Sequence, residues 1–152
     1  MNTRKFALLA VVLAALSLGG YFWYQDYEYR QVNGQVTEVS LLTWDQEVDG
    51  MKDNRAVLVY FYKEDDPQAK NDQLKVVQRF AWDHARQVKV VGINCSHVEN
   101  LPLALAHGAF RFPAFAAYKD GKQVLGSSGG FANEDELKRL IEKVNSAAVI
   151  AK

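Results

Sequence analysis

The sequence holds one cysteine, Cys95, among 152 residues. That excludes an intramolecular disulfide, a multi-cysteine metal site and a two-cysteine redox cycle within this chain. Net charge is missing too. Eighteen Lys and Arg balance eighteen Asp and Glu without a basic stripe, so nothing in the pattern points to nucleic acid. There is no phosphate-cradling Gly-rich loop, no dinucleotide fingerprint and no serine in an elbow motif. Of His84, His97 and His107, no pair has the i, i+4 spacing of metal ligands. Internal repeats are absent, and the only low-complexity tract is GSSGG, residues 126–130. No cofactor is expected.

What is present reads as one globular domain with an appendage: 49% apolar and 24% charged residues. The appendage is the run FALLAVVLAALSLGGYFWY, residues 6–24, without a charge. As a helix it spans about 28 Å at ~1.5 Å per residue, close to the hydrocarbon thickness of a bilayer. Arg4 and Lys5 precede it, whereas Asp26 and Glu28 follow with only Arg30. That bias predicts a single-pass anchor with residues 1–5 in the cytoplasm and the rest outside, across the inner membrane on the periplasmic side. Phe6 and Leu13 mark the apolar stretch, and Tyr21 to Tyr24, with Trp23, the aromatic belt at its exit. The competing reading is a cleaved signal peptide with residues 6–18 as its apolar core and Ser17 and Gly19 near the cleavage point. Residues 25–35 read as a polar, tyrosine-rich stalk or a helical continuation of the anchor. The domain is expected over 36–147, with a short tail over 148–152.

Within the domain, Val36, Val39 and Leu41 predict a short edge strand. Thr43 with Gln46 predicts a capped helix ending at Gly50. Residues 56–62, continuously apolar and aromatic, predict a buried central strand. The charged turn Glu64-Asp65-Asp66 follows, then a helix from Pro67 to about Arg86 with Leu74, Val77, Phe80, Ala81 and His84 on one face. Residues 88–94 predict a strand, residues 100–107 a short helix ended by Gly108, and residues 112–118 a strand that opens on a proline. Asp120-Gly121 is a hairpin signal, with Gln123 to Leu125 pairing back and GSSGG as a flexible turn. Asn133 with Glu136 caps a last helix carrying Leu137, Leu140, Ile141 and Val144. The order is β-α-β-α-β-α-β-β-α: an α/β domain with a central mixed sheet flanked by helices, preceded by the transmembrane helix.

Four stretches, AVLVYFYKEDDPQAK, VVGINCS, HGAFRFPAF and YKDGKQVLGSSGG, resemble in order and spacing those of the thioredoxin superfamily. The third resembles the Y-G-V-R-G-F-P-T segment of protein disulfide isomerase-like domains, whose proline is cis. The resemblance therefore implies a thioredoxin-like fold and a cis Phe112–Pro113 bond. The departures from the family are as informative. Asp66, Pro67, Gln68 and Ala69 stand where the family has Cys-x-x-Cys, so the attacking and resolving thiols are replaced by Asp66 and Ala69. A carboxylate cannot form the mixed disulfide that thiol exchange needs. Phe110 and Arg111 replace Arg-Gly, and Ala114 replaces Thr.

Each candidate residue has a functional and a structural reading. Asp66 is either a carboxylate presented to a partner or a helix N-cap before Pro67 at the first helical position. Glu64, Asp65 and Asp66 form a solvated acidic turn, because three adjacent side chains do not supply the six to eight oxygens that calcium takes. Cys95 is a small buried residue or a single redox handle. The resemblance also implies a peptide-binding groove beside Pro113, lined by Phe110 and Phe112, with Tyr62 near the Asp66 turn. The expectation is a non-enzymatic, membrane-tethered protein-binding or assembly subunit whose partner is a membrane protein complex. The alternatives are single-thiol chemistry at Cys95 and a peptide-binding chaperone using the Pro113 groove.

Overall fold

Seven consecutive apolar and aromatic residues form the strand β2, Ala56–Tyr62, and every one is buried. The computed structural model describes residues 3–51 and 54–150, without the side chains of residues 3–10, 70, 127–128 and 148–150. On one side β2 pairs in parallel with β3, Val88–Asn94, which pairs in turn with the edge strand β1, Thr37–Glu38. On the other it pairs antiparallel with β4, Ala114–Lys119, followed by β5, Lys122–Gly129. The order across the sheet is β1-β3-β2-β4-β5.

Side chains alternate along a strand, so β2 feeds two cores. Val57, Val59 and Phe61 join Trp44, Val48, Ile93 and Cys95 on one face, beneath the short helix α3, Leu101–Ala106. Leu58, Tyr60 and Tyr62 meet Val77, Phe80, Leu137 and Ile141 on the other, beneath α2, Leu74–Asp83, and α4, Glu134–Ile150. Each buried Val, Leu, Ile or Phe adds about 1.5–3 kcal/mol relative to exposure, so the continuous run of β2 anchors both layers.

Several boundaries differ from expectation. Only Thr37 and Glu38 of the first strand pair, and Leu41 leaves the sheet, its N–H bonded to Asn100 Oδ1 at 3.1 Å. The capping box at Thr43 does not form. Thr43 Oγ1 instead accepts Ser40 N–H at 3.1 Å, and the turn that follows, Asp45–Asp49, is π-helical, closed by Gly50 N–H on Asp45 O at 2.6 Å. The helix from Pro67 contains a second π-helical turn, Ala69–Gln73, and ends at Asp83, short of Arg86. That wide turn carries Gln73, 3% exposed, whose amide gives and takes 2.8 Å hydrogen bonds with the backbone of Ala132. GSSGG is not a turn: β5 continues through Gly129, with Ser128 opposite Phe115. The Asp120-Gly121 turn is as expected, with φ of 51° and 70°, and so is the Asn133–Glu136 capping box.

Before β1 a single unbroken helix, α1, Thr3–Asn33, contains the whole apolar run. Its last turns lie against the end of α2, so residues 25–33 continue the helix. Leu13, Tyr21 and Trp23 are exposed, and Phe6 lies outside the described side chains. Among the described residues no helix is long and apolar enough to cross a membrane, and the side chains of the apolar run are described only from Val11 onward.

Candidate partner-binding face

β2 delivers its chain to a turn that opens the next helix, the end of the sheet where α/β folds place their sites. Asp66 is the cap there. Its Oδ1 accepts the N–H groups of Gln68 and Ala69 at 3.0 and 3.2 Å, with Pro67 between, where its missing N–H is not needed. Ala69 is fully buried, and its carbonyl accepts the Tyr60 hydroxyl at 3.0 Å. The position matching a resolving thiol is therefore closed over by the core.

The acidic turn is stitched to the end of β3. Ser96 Oγ accepts Glu64 N–H at 2.8 Å, and Asn94 Nδ2 donates to Glu64 Oε2 at 3.2 Å. Among the described residues no group of acidic, histidine and cysteine side chains is placed to hold a metal ion. Cys95 follows β3, 1% exposed, its Sγ 3.6 Å from Ile93 O. Burial pushes its thiol up to about 11, against the opposing pull of the Lys63 ammonium and a backbone hydrogen bond with Tyr62. Thiol reactivity requires the thiolate and access, and Cys95 has neither at neutral pH. His97 is exposed, 3.9 Å from Glu99, while His107 bonds the Tyr118 hydroxyl at 2.7 Å and His84 packs on Phe80.

The Phe112–Pro113 bond is cis. Pro113 is buried and its carbonyl accepts Gly130 N–H at 2.7 Å. Phe110 stands 75% exposed, and Phe112 is half-buried against the first core. Lys63, which is not among the residues expected at the groove, links this loop to the turn: its ammonium lies 5.6 Å from the Phe112 ring, and its carbonyl accepts Asp66 N–H.

Tyr62 does not belong to this groove. It faces the second core, stacked on Tyr60 at 5.1 Å, and its hydroxyl donates to Glu38 Oε1 at 2.9 Å. Burial, then the bond to the Glu38 carboxylate, raises its phenol above the ordinary range. Phe112 packs on the opposite face, so the sheet itself separates the two rings. Tyr62 lines instead a polar cleft of about 430 Å³ with Glu38, Ser40, Asn94, His97 and Asn100. The sequence signals for that cleft were Gly92 inside a strand and the two asparagines beyond it. A Cβ at Gly92 would lie 2.9 Å from Glu38 Oε1. Asn100 Nδ2 donates to Asn94 O at 3.0 Å, and Asn94 Oδ1 accepts Ser96 N–H at 2.9 Å, so these buried amides brace the loops around the cleft.

No family model matches the chain, and neither does any curated protein. Solved structures do. A mutant thioredoxin from Halobacterium salinarum NRC-1 is 26% identical with a TM-score of 0.56, over 72% of this chain and 90% of that one. In a complex of ferredoxin:thioredoxin reductase with thioredoxin f2, the matching chain is 26% identical with a TM-score of 0.62, over 74% and 96%. Thioredoxin f from spinach chloroplast is 22% identical with a TM-score of 0.63, over 78% and 93%.

Proposed function

Starting from a thioredoxin-like fold that holds one cysteine, and so no dithiol redox pair, we propose that this is a membrane-tethered, non-catalytic binding domain. It serves as an accessory or assembly subunit of an inner-membrane complex, with α1 crossing the bilayer once and the domain on the extracytoplasmic side. It uses no cofactor. The observation that carries this reading is the closed helix opening: Asp66 caps it and Ala69 is buried where thiols would work, while the one real thiol lies in the core. The tether is supported by the charge-free run within α1, by Arg4 and Lys5 before it, and by the exposed aromatics Tyr21 to Tyr24 at its end. Partner binding is supported by large apolar side chains left in solvent on the loops beyond the strands: Leu42, Val98 and Phe110. The buried Cys95 weighs against single-thiol chemistry.

Affinity purification of the full chain from native membranes in gentle detergent tests this. One stoichiometric partner is expected, retained by Cys95→Ser and lost with Phe110→Asp. Repeated recovery of the chain alone overturns the reading. So does a disulfide-reduction activity above blank that Cys95→Ser abolishes, which selects the single-thiol alternative.

A further inference from the structure

The last turns of α1 meet the domain along one stripe. Asp26, Tyr29, Arg30 and Asn33, at i, i+3, i+4 and i+7, are half-buried, while Glu28, Gln31 and Val32 between them are exposed. The stripe is polar because of what it faces. α2 has no basic residue in its last turn, so its terminal carbonyls and negative dipole end lack a cation of their own. Arg30 brings one from the other helix: Nη1 donates to Trp82 O at 3.1 Å and lies 3.9 Å from the Asp83 carboxylate. Asp26 accepts from Arg30 Nε at 2.7 Å and from Arg86 Nε at 2.9 Å. The Arg86 guanidinium lies 4.8 Å from the Tyr29 ring, and Tyr27 meets Trp82 edge-on at 5.9 Å. At the exit from α1, a Cβ on Gly34 would come within 3.1 Å of Trp82 Cα.

The order of these contacts sets a direction. Asp26 meets Arg86, in the turn just after α2, and Arg30 meets Trp82, in its last turn, so along this seam α1 runs opposite to the chain leaving α2. Followed toward its N-terminus, α1 leaves past the C-terminal end of α2. That is the end where β2 begins, with Ala56 N–H on Gln87 O at 3.1 Å. The Asp66 cap and Pro113 lie at the other end of β2, since Ala114 pairs with Phe61. Seven residues of strand separate the two ends, about 20 Å at ~3.3 Å per residue.

We infer that residues 26–33 form a rigid strut, locked by the Asp26–Arg30–Arg86 cluster to the end of α2. The strut points the Asp66 and Pro113 end of the domain away from the membrane. This rests on the tether proposed above. It narrows the partner to a protein offering its contact surface outside the bilayer.

The test uses the full chain in phosphatidylcholine–phosphatidylglycerol vesicles. Spin labels are attached at the exposed positions Gln31→Cys and Gln78→Cys, and the buried Cys95 does not compete for them. Pulsed dipolar spectroscopy should give one narrow distance. A spread on the order of 15 Å, as a flexible linker gives at ~5–6 Å × √n, overturns the strut. Asp26→Lys, which sets a third cation against Arg30 and Arg86, should broaden the distribution; an unchanged one overturns the role of the charge cluster. A fluorophore at Gln87→Cys should lose most of its signal to a headgroup-bound quencher, and one at Phe110→Cys none. Equal quenching overturns the orientation. Protein that fails to float with the vesicles overturns the tether, and with it the orientation. In that case a narrow distance in detergent still establishes the strut, so the two failures are told apart.

Discussion

Asp66 and Cys95 decide the chemistry residue by residue. A carboxylate oxygen that accepts two backbone N–H groups keeps the helix start in shape without a thiol. At Cys95 the raised thiol pKa has a definite sign. Burial favours the neutral thiol in the folded state, so its contribution to stability is complete below the ordinary thiol value of 9.0 and is lost as pH rises through about 11. Iodoacetamide at pH 8 should leave the native protein unmodified and react fully only in denaturant. The stability difference between wild type and Cys95→Ala should narrow between pH 9.0 and about 11, as followed by urea titration. Rapid native alkylation at pH 8 would contradict the burial of this thiol. Phe110 stands out into solvent beside a buried Pro113.

Among the elements, the hairpin from β4 to β5 shows how one position can be constrained from two directions. Gly121 has φ of +70°, and a Cβ there would sit 2.5 Å from the carbonyl oxygen of Asp49, which belongs to the π-helical turn packed beneath. Gly121→Ala should therefore cost about 2 kcal/mol or more, since the left-handed conformation alone costs ~1–2 kcal/mol for a residue with a Cβ. Gly126, within β5, meets nothing within 4 Å, and Gly126→Ala should change stability by less than about 0.5 kcal/mol. Thermal denaturation of the two variants side by side checks the contrast. The π-helical turn Ala69–Gln73 coincides with a long-range contact: Gln73 is drawn inward to Ala132, 59 residues away.

For the molecule as a whole, the junction between α1 and α2 makes helix and domain one body. Hydrogen bonds to Arg30, and then to Arg86, hold the Asp26 carboxyl below the usual carboxylate range. Its folded pKa is depressed, so the ion pairs contribute above the ordinary value of 3.8, and the contribution is lost as pH falls below it. Asp26→Asn should melt below wild type at pH 7, with the two curves drawing together as the pH falls progressively below the ordinary carboxylate value of 3.8. Scanning calorimetry of both proteins in detergent reads this out; a gap that stays constant throughout that acid range would mean the charge of Asp26 is not what matters.

The strand and helix order, the Asp66 cap, the Asp-Gly hairpin and the Asn133–Glu136 box were legible because each depends on residues within a few positions of one another. The absence of dithiol chemistry was legible from composition alone. Other features were not, and their causes are equally physical. Tyr62 and Phe112 fall on opposite faces of the sheet, a matter of strand register that places one beside Glu38 and the other beneath Lys63. GSSG reads as a turn, yet pairing with β4 extends it into β5. The polar segment after the apolar run reads as a stalk or a continuation of the helix; the helix does continue, and what the sequence does not show is its docking, where Arg30 reaches the carbonyl of Trp82, 52 residues away. By itself the sequence determined the order of elements and what the chain has no thiols to do, since both follow from local pattern and residue count. Only the tertiary structure decided that Cys95 is sealed, that Tyr62 leaves the proline groove, and which way the domain stands on its helix. Those depend on contacts between residues far apart in the chain, which leave no periodic mark on it.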